Sequence, residues 1–375
     1  MSRFTHLFAG GSLNRLSVLR SNPGFIASST QSPHTRYLAL RNLDPLLTAA
    51  ARGQSIAWLS YADVKDALSA GAFHVFLGVD ESDAGTDEFT SERKGGVVVI
   101  KGRSYWAIDL TKGAVYDSVL DKTDKEFESK NYSFAPMRGA LSSLPWEEES
   151  AILAQGRSVI DWNVRNQFCP ACGKKTESGE AGYKRFCPRP APGEATDGAE
   201  ADKTARCLSL TGVNNFQYPR TDPVVIIAVT HPTDPNKILL GRQARFPPEM
   251  FTCVAGFMEP GETIEEACRR EVHEETGIKV GQVAYHSSQP WPFPNSVMIG
   301  CIGQGVSTEV NLIDEELEDA RWFTREQARA AIAVHHDQNA KNDAPDAIKV
   351  PPPYAIAHQL VKAWLEGFGP VPSKM

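Results

Sequence analysis

Residues 256–278, GFMEPGETIEEACRREVHEETGI, constrain this chain more than any other stretch. Thr263 and Glu266 have the spacing of a capping box, and Gly277 suits the left-handed position that closes a helix. The spacing therefore predicts a helix of about 13 residues between them. On a wheel of about 100° per residue starting at Ile264, Ala267, Cys268 and Val272 fall near roughly 300°, 40° and 80°. Glu271, Glu274 and Glu275 fall near roughly 340°, 280° and 20°, within the same apolar half. Glu265, Glu266, Arg269, Arg270 and His273 take the remaining arc. Carboxylates turned toward a core are costly unless cations or hydrogen-bond donors neutralise them, and neighbouring ones repel each other. A hard divalent ion answers both problems, since Mg²⁺ takes oxygen ligands and keeps room for phosphate oxygens. Two or more ions could clamp both sides of an in-line displacement. The competing reading is a helix held by salt bridges, with Arg270 pairing Glu266 and Glu274. One arginine cannot neutralise three carboxylates.

At roughly 150 residues per domain, 375 residues correspond to two or three domains. The longest apolar run, Val224 to Val229, is far short of the ~20 residues that span a bilayer, which excludes a membrane-spanning helix. The net charge, 39 − 46 = −7, argues against general polyanion binding. Four of the seven cysteines, Cys169, Cys172, Cys187 and Cys207, cluster as C-x2-C-x14-C-x19-C. The opening knuckle brings two thiolates to one tetrahedral ion, and a four-thiolate set leaves no open position. One structural Zn²⁺ per subunit is therefore expected, against the alternative of four unligated buried cysteines. The long last interval contains a surface insertion at 189–206, rich in Ala, Gly and Asp. Cys253, Cys268 and Cys301 read as core residues.

These boundaries predict an N-terminal α/β domain over 1–164, a metal ribbon over 165–220, a third domain over 221–366 and a tail over 367–375. Expected strands are 74–79, 97–100, 105–110, 224–229, 237–240 and 251–255, with an acidic loop from Asp80 to Gly96. Expected helices are 146–164 and 353–366, the latter starting at Pro353 and packing Ile356, Leu360, Val361 and Trp364. The first 43 residues hold five arginines and no acidic residue, a composition resembling a mitochondrial transit peptide. Gly10, Gly11 and Asn14 interrupt any amphipathic helix there, which favours an ordered part of the first domain. The chain ends in Ser373-Lys374-Met375, one apolar substitution from the Ser-Lys-Leu peroxisomal address.

Residues 288–296, SQPWPFPNS, alternate prolines with aromatics. Two readings stand: a stiff loop offering Trp291 and Phe293 to a heteroaromatic ring, or a structural loop packing both into the core. Residues 165–189 carry Arg165, Lys174, Lys175, Lys184, Arg185 and Arg189 against Glu177 and Glu180, a local excess of positive charge that could touch an RNA backbone.

The segment 256–278 resembles the Nudix box, G-x5-E-x7-R-E-U-x-E-E-x-G-U, at Gly256, Glu262, Arg270, Glu271, Val272, Glu274, Glu275, Gly277 and Ile278. SQPWPFPxS, the zinc cysteines, Asn14-Arg15-Leu16-Ser17, Asn215 to Pro223 and Ala355 to Leu360 are similar to the NADH pyrophosphatase (NAD-capped RNA hydrolase) branch of that family. The resemblance covers nearly the whole chain and favours the shorter, fungal-type member. It implies an α+β protein: a C-terminal Nudix α/β/α sandwich with a mixed sheet, a central zinc ribbon and an N-terminal α/β Nudix-like domain. It further implies Mg²⁺ or Mn²⁺ held by Glu271, Glu275, the Ala255 carbonyl and Glu316, whose register competes with Glu315 and Glu318. Glu274 is implied as general base or metal ligand. Tyr218, Phe257, Gln289, Pro290, Trp291, Pro292, Phe293, Pro294, Asn295, Ser296, Met298 and the Ala357 backbone are implied as substrate contacts, Tyr218 from the partner subunit of a homodimer.

The activity implied is hydrolysis of NADH, and of NAD⁺ less well, to reduced nicotinamide mononucleotide (or its oxidised form) plus AMP. The alternative is removal of the NAD cap from RNA 5′ ends by the same chemistry. A non-catalytic zinc-ribbon module is disfavoured by the intact box. The C-terminal tripeptide implies a peroxisomal import receptor as partner and a peroxisomal location, which argues against RNA; the cytoplasm is the alternative.

Overall fold

The computed structural model describes residues 5–50, 53–83, 87–93, 96–113, 117–144, 148–188, 207–210, 217–312, 316–335 and 346–370. The insertion 189–206, Asn215, Phe216, Glu315 and the terminal Ser373-Lys374-Met375 lie outside them. Contacts group the chain into two compact units, one built on Gly10–Arg220 with Pro292–Asn295, the other on the segment up to Ala9, Thr221–Trp291 and the chain from Ser296 on.

The first unit contains α1 (Pro23–Gln31), β1 (Arg36–Arg41), β2 (Asp44–Ala50), β3 (Gly53–Ile56), α2 (Tyr61–Ser69), β4 (His74–Asp80), β5 (Glu88–Arg93), β6 (Gly96–Lys101), β7 (Arg103–Asp109), α3 (Asp117–Ser129), β8 (Ser133–Phe134), α4 (Met137–Ala140), α5 (Glu148–Arg165), β9 (Glu177–Gly179) and β10 (Lys184–Phe186). Its main sheet runs β3-β2-β1-β7-β4, with β8 on β2 and the β1–β7 pair parallel. Helix α5 lies directly on that sheet. A Cβ on Gly156 would stand 2.7 Å from Leu38 and 3.1 Å from Ala107, so only glycine permits this approach. Its Ile152, Val159, Ile160 and Trp162 are buried, as their spacing predicts. The expected acidic loop Asp80–Gly96 contains a strand instead: β5 pairs with β6 and turns Phe89 into the core, an apolar anchor that outweighs the loop-like composition.

The second unit contains β11 (Asp222–Thr230), β12 (Lys237–Arg242), β13 (Val254–Phe257), α6 (Ile264–Thr276), β14 (Val280–Trp291), β15 (Ser296–Gly305), β16 (Asp319–Thr324), α7 (Arg325–Ala333) and α8 (Ile356–Leu365). The sheet order is β14-β15-β11-β12-β16, with β13 on β11 and β11 parallel to β15. The side-chain period of two sends alternate residues of the apolar strand β11 to opposite faces. Val225, Ile227 and Val229 pack with Ala267, Cys268 and Val272 of α6. Ile226 and Ala228 pack with Leu360, Val361 and Trp364 of α8 and with Ala328 and Ile332 of α7. This is the expected α/β/α sandwich around a mixed sheet, and Cys253, Cys268 and Cys301 are buried in it.

Four expectations shift. The strand expected at 251–255 is Val254–Phe257. The last helix starts at Ile356 rather than Pro353. Ser288–Trp291 ends β14 and Ser296 begins β15, so most of SQPWPFPNS, left by the sequence as a stiff or a core-packing loop, is strand and hairpin turn. The segment from His6 to Ala9, placed by sequence in the first domain, groups with the second unit, where Leu7 and Phe8 are buried.

Candidate active site

Helix α6 is built as its local sequence dictates. The Thr263 side chain accepts from the Glu266 amide, the Glu266 carboxylate accepts from the Thr263 amide, and Gly277 adopts φ 71°. Glu271 and Glu275 are buried at 9% and 2% exposure, while the Glu274 side chain is half-exposed. Two glutamates, not three, face inward. Glu274 sits at the edge of the apolar arc, and Arg270, one turn back, draws it outward at 3.1 Å.

Arg270 organises the cluster differently from the Glu266 pairing considered above. Its Nε and Nη2 donate to the two Glu262 oxygens at 2.6 and 2.8 Å, Nη1 to Glu271 at 2.7 Å, and Nη2 also to the Phe257 carbonyl at 2.8 Å. Glu266 is committed to the cap. The Arg270 fork and the Glu259 amide hold the Glu262 carboxyl down at about 2. Sequence reasoning placed Glu262 in the box without a role; its bidentate geometry makes it the anchor that aims Arg270.

Burial pushes the Glu271 carboxyl up, and the charges of Glu274 and Glu316 add to that push against the opposing Arg270. Glu316 is therefore close enough to feel Glu271, and it accepts from Gln243 Nε2 at 2.9 Å. Glu318 is occupied by Arg242 at 2.9 Å, which separates the two registers. Strand β13 brings the backbone against these carboxylates: a Cβ on Gly256 would lie 2.0 Å from the Glu271 carboxyl carbon, so any larger residue there must displace that carboxylate. Hard carboxylate oxygens crowded in a partly buried cradle fit a divalent cation. Their oxygens are not drawn together within 4.8 Å as the four cysteine sulfurs are, among the described residues.

Beside this cradle lies a cavity of about 330 Å³, lined in part by Ala255, Glu275, Gln289, Trp291, Met298 and Ala357. Six expected residues are thus brought to one wall. Gln289 is already committed: its Oε1 accepts from the Ile356 amide at 2.9 Å, and its Nε2 donates to the Tyr354 and Leu7 carbonyls at 2.8 and 3.2 Å. Ala355 has no side chain to cap α8, and Gln289 supplies that cap from the neighbouring strand. Phe8, at φ 72°, sets its ring edge-on to Trp291 at 6.2 Å. Phe257 and Ser296 do not line the cavity; Phe257 is exposed and Ser296 is paired with Trp291 across the hairpin.

The hairpin tip, Pro292–Asn295, groups with the first unit. Phe293 lies under two guanidinium groups, those of Arg138 at 4.2 Å and Arg157 at 4.8 Å from its centroid. The Pro292 and Pro294 carbonyls accept from Arg157 and Ser158, and Asn295 donates to the Arg220 carbonyl at 2.8 Å. Pro290 continues β14 opposite Val297. Tyr218 belongs to the first unit, with the Lys184 ammonium 5.1 Å from its ring.

In the ribbon, all four cysteine sulfurs lie within 4.8 Å of one another, with Cys169–Cys207 at 3.5 Å and Cys172–Cys187 at 3.3 Å. A tetrahedral ion with Zn–S bonds of about 2.3 Å separates its sulfurs by roughly 3.8 Å, so the set fits zinc. Of the expected basic residues, Arg165 pairs with Asp161 and Lys184 with Glu180, while Arg185 is buried against Asn163 and Thr176. That leaves Lys174 and Lys175 of the described basic residues without an ion pair.

Comparison with known protein families matches the chain in three consecutive parts. A NUDIX domain matches residues 220–343, an NADH pyrophosphatase-like rudimentary NUDIX domain residues 34–162, and an NADH pyrophosphatase zinc ribbon domain residues 165–190. The chain belongs to the Nudix hydrolase family. It is 41% identical over 367 residues to the NAD-capped RNA hydrolase NUDT12 of Homo sapiens, covering 94% of this chain and 72% of that protein. The NAD-capped RNA hydrolase of Schizosaccharomyces pombe is 33% identical, with 96% and 93% covered. The mitochondrial NAD(P)H pyrophosphatase NUDT13 of Homo sapiens is 33% identical, with 70% and 68% covered. A Nudix hydrolase of this architecture carries a divalent-metal site and a zinc ribbon. No helix among the described residues is long and apolar enough to cross a membrane.

Proposed function

We propose that this Nudix hydrolase cleaves the pyrophosphate bond of NADH, and more slowly that of NAD⁺, releasing AMP and the nicotinamide mononucleotide. The observation that carries the reading is the junction of two environments: the Glu271–Glu275 cradle opens onto an apolar cavity with Trp291 and Met298 in its wall. One half suits a diphosphate, the other a flat heteroaromatic ring.

Glu271, Glu275, the Ala255 carbonyl and Glu316 would hold Mg²⁺ or Mn²⁺, two or more ions per site. Cations bound there would neutralise charge on the diphosphate oxygens and so favour attack at phosphorus. The chain's own groups do the rest. Arg270, tied to Glu262, keeps Glu271 pointed at Gly256 and restrains Glu274. Glu274, half-exposed and next to Glu275 on α6, would take a proton from the attacking water or serve as a further metal ligand. Ala357 and Trp291 shape the ring pocket. Tyr218 would be contributed by the partner subunit of a homodimer. The four cysteines would hold one structural zinc. The terminal Ser-Lys-Met supports peroxisomal import through its receptor.

A second reading rests on the relatives named NAD-capped RNA hydrolases: the same bond is cut when the adenosine continues into RNA. The two unpaired lysines of the ribbon make a weak basic footprint for the RNA body, so NADH is preferred. The test is turnover of NADH, NAD⁺, ADP-ribose and NAD-capped RNA with each metal. NADH should have the highest kcat/KM; preferential cleavage of ADP-ribose or of capped RNA rejects this ranking.

A further inference from the structure

The lining of the cavity includes residues of the turn Gln243–Phe246, just beyond β12, where the Phe246 amide donates to the Gln243 carbonyl at 2.9 Å. Gln243, Arg245 and Glu275 all line the cavity. Arg245 Nε donates to Gln243 Oε1 at 2.7 Å, and Gln243 Nε2 donates to Glu316 Oε1 at 2.9 Å. One amide therefore grips a guanidinium with its oxygen and a carboxylate with its nitrogen. Sequence reasoning assigned neither Gln243 nor Arg245 a role.

The two arginines near the site differ in what they have left to offer. Arg270 is saturated by Glu262, Glu271, Glu274 and the Phe257 carbonyl. Arg245, the cation among the described residues lining this cavity, has no carboxylate within 4 Å among them; its Nε bonds Gln243, and its guanidinium carbon lies 5.9 Å from the Phe246 ring centroid. Its Nη1 and Nη2 remain as a planar donor pair, the geometry that meets a phosphate in bidentate fashion. This guanidinium, in the lining of a cavity whose other charged group is the Glu275 carboxylate, has no ion-pair partner among the described residues.

We infer that Arg245 binds a non-bridging oxygen pair of the substrate's diphosphate and that Gln243 is the positioning residue that aims Arg245 and Glu316 together. This rests on the dinucleotide pyrophosphatase reading above. Gln243 thus links the cationic and anionic sides of the site: displacing its amide releases both at once. Lysine at 245 would keep the charge but lose the Nε bond and the fork.

The experiment compares the full-length wild type with Arg245→Ala, Arg245→Lys and Gln243→Leu, measuring kcat and KM for NADH and inhibition by AMP. Charge-assisted hydrogen bonds of this kind correspond to about 10–100-fold in affinity. Arg245→Ala should raise both KM and the AMP inhibition constant by that factor without lowering the melting temperature, since the side chain is exposed. Arg245→Lys should fall between. Gln243→Leu should raise KM and lower kcat together, because Glu316 loses its donor. Unchanged KM and AMP inhibition in Arg245→Ala overturn the inference, as does a loss confined to stability. A wild type that does not turn over NADH overturns the proposed function instead; direct AMP binding to wild type and Arg245→Ala then still decides the phosphate contact.

Discussion

At the scale of single residues, the site depends on one missing side chain and on buried charge. Gly256 is required because the Glu271 carboxyl fills the space a Cβ would need. Gly256→Ala should therefore keep the fold but displace Glu271, lowering kcat by at least about tenfold and raising the metal concentration needed for half-maximal rate. A metal titration of NADH turnover checks this, and wild-type metal dependence would refute it. Glu275→Gln keeps shape and removes charge. If Glu275 holds the cation, kcat falls by about two or more orders of magnitude with an unchanged circular dichroism spectrum. Near-normal turnover removes Glu275 from the metal site. Glu262 gives a contrasting case: it titrates near 2 because Arg270 holds it, so acid inactivation above that pH cannot be assigned to Glu262.

At the scale of elements, what was legible is what is encoded locally. The cap, the length and the C-terminal glycine of α6 follow from contiguous residues, and so does the two-faced strand β11. The outward turn of Glu274 was not legible, because it depends on how Arg270 divides its donors among Glu262, Glu271 and Glu274, eight or fewer residues away but on two elements. The role of Gln289 was hidden for a similar reason. Its acceptor serves the Ile356 amide, 67 positions along the chain, and no spacing rule connects the two. The resemblance pointed to Gln289 as a substrate contact, whereas the structure uses its amide to tie β14, the start of α8 and Leu7. Gln289→Leu, close in size, leaves the Ile356 amide and two carbonyls without these bonds in a buried site. A cost of about 1–3 kcal/mol in unfolding free energy is expected, read from urea denaturation. A change below about 0.5 kcal/mol would show that the tie contributes little. The hairpin tip shows the same division: its prolines announced a turn, but the Arg138 and Arg157 cover on Phe293 required the fold.

At the scale of the whole molecule, two features distant in sequence tie segments that neither could stabilise alone. The ribbon brings Cys169 and Cys207 together across 38 positions; one zinc per chain by metal analysis, lost in Cys169→Ser, is the expected result, and a full zinc content in that variant would exclude Cys169 as a ligand. The other tie is at the opposite end of the chain. His6 is 4% exposed, and its Nε2 shares the Ser287 hydroxyl with His286 Nδ1, at 2.7 and 2.8 Å. Burial, reinforced by His286, lowers the His6 imidazole from 6.5 to about 4. A histidine kept neutral by folding binds its proton more tightly when unfolded. Its contribution is therefore complete above about pH 6.5 and is lost as pH falls toward 4. At 1.36 kcal/mol per tenfold, that is roughly 3 kcal/mol between pH 7 and pH 4. His6→Gln cannot titrate, so the wild type should lose stability relative to this variant over that window, and the two should run parallel above it. Parallel curves throughout would mean that the N-terminal segment releases His6 before the unit unfolds, and the segment's place against β14 would then be a local equilibrium rather than part of the cooperative fold.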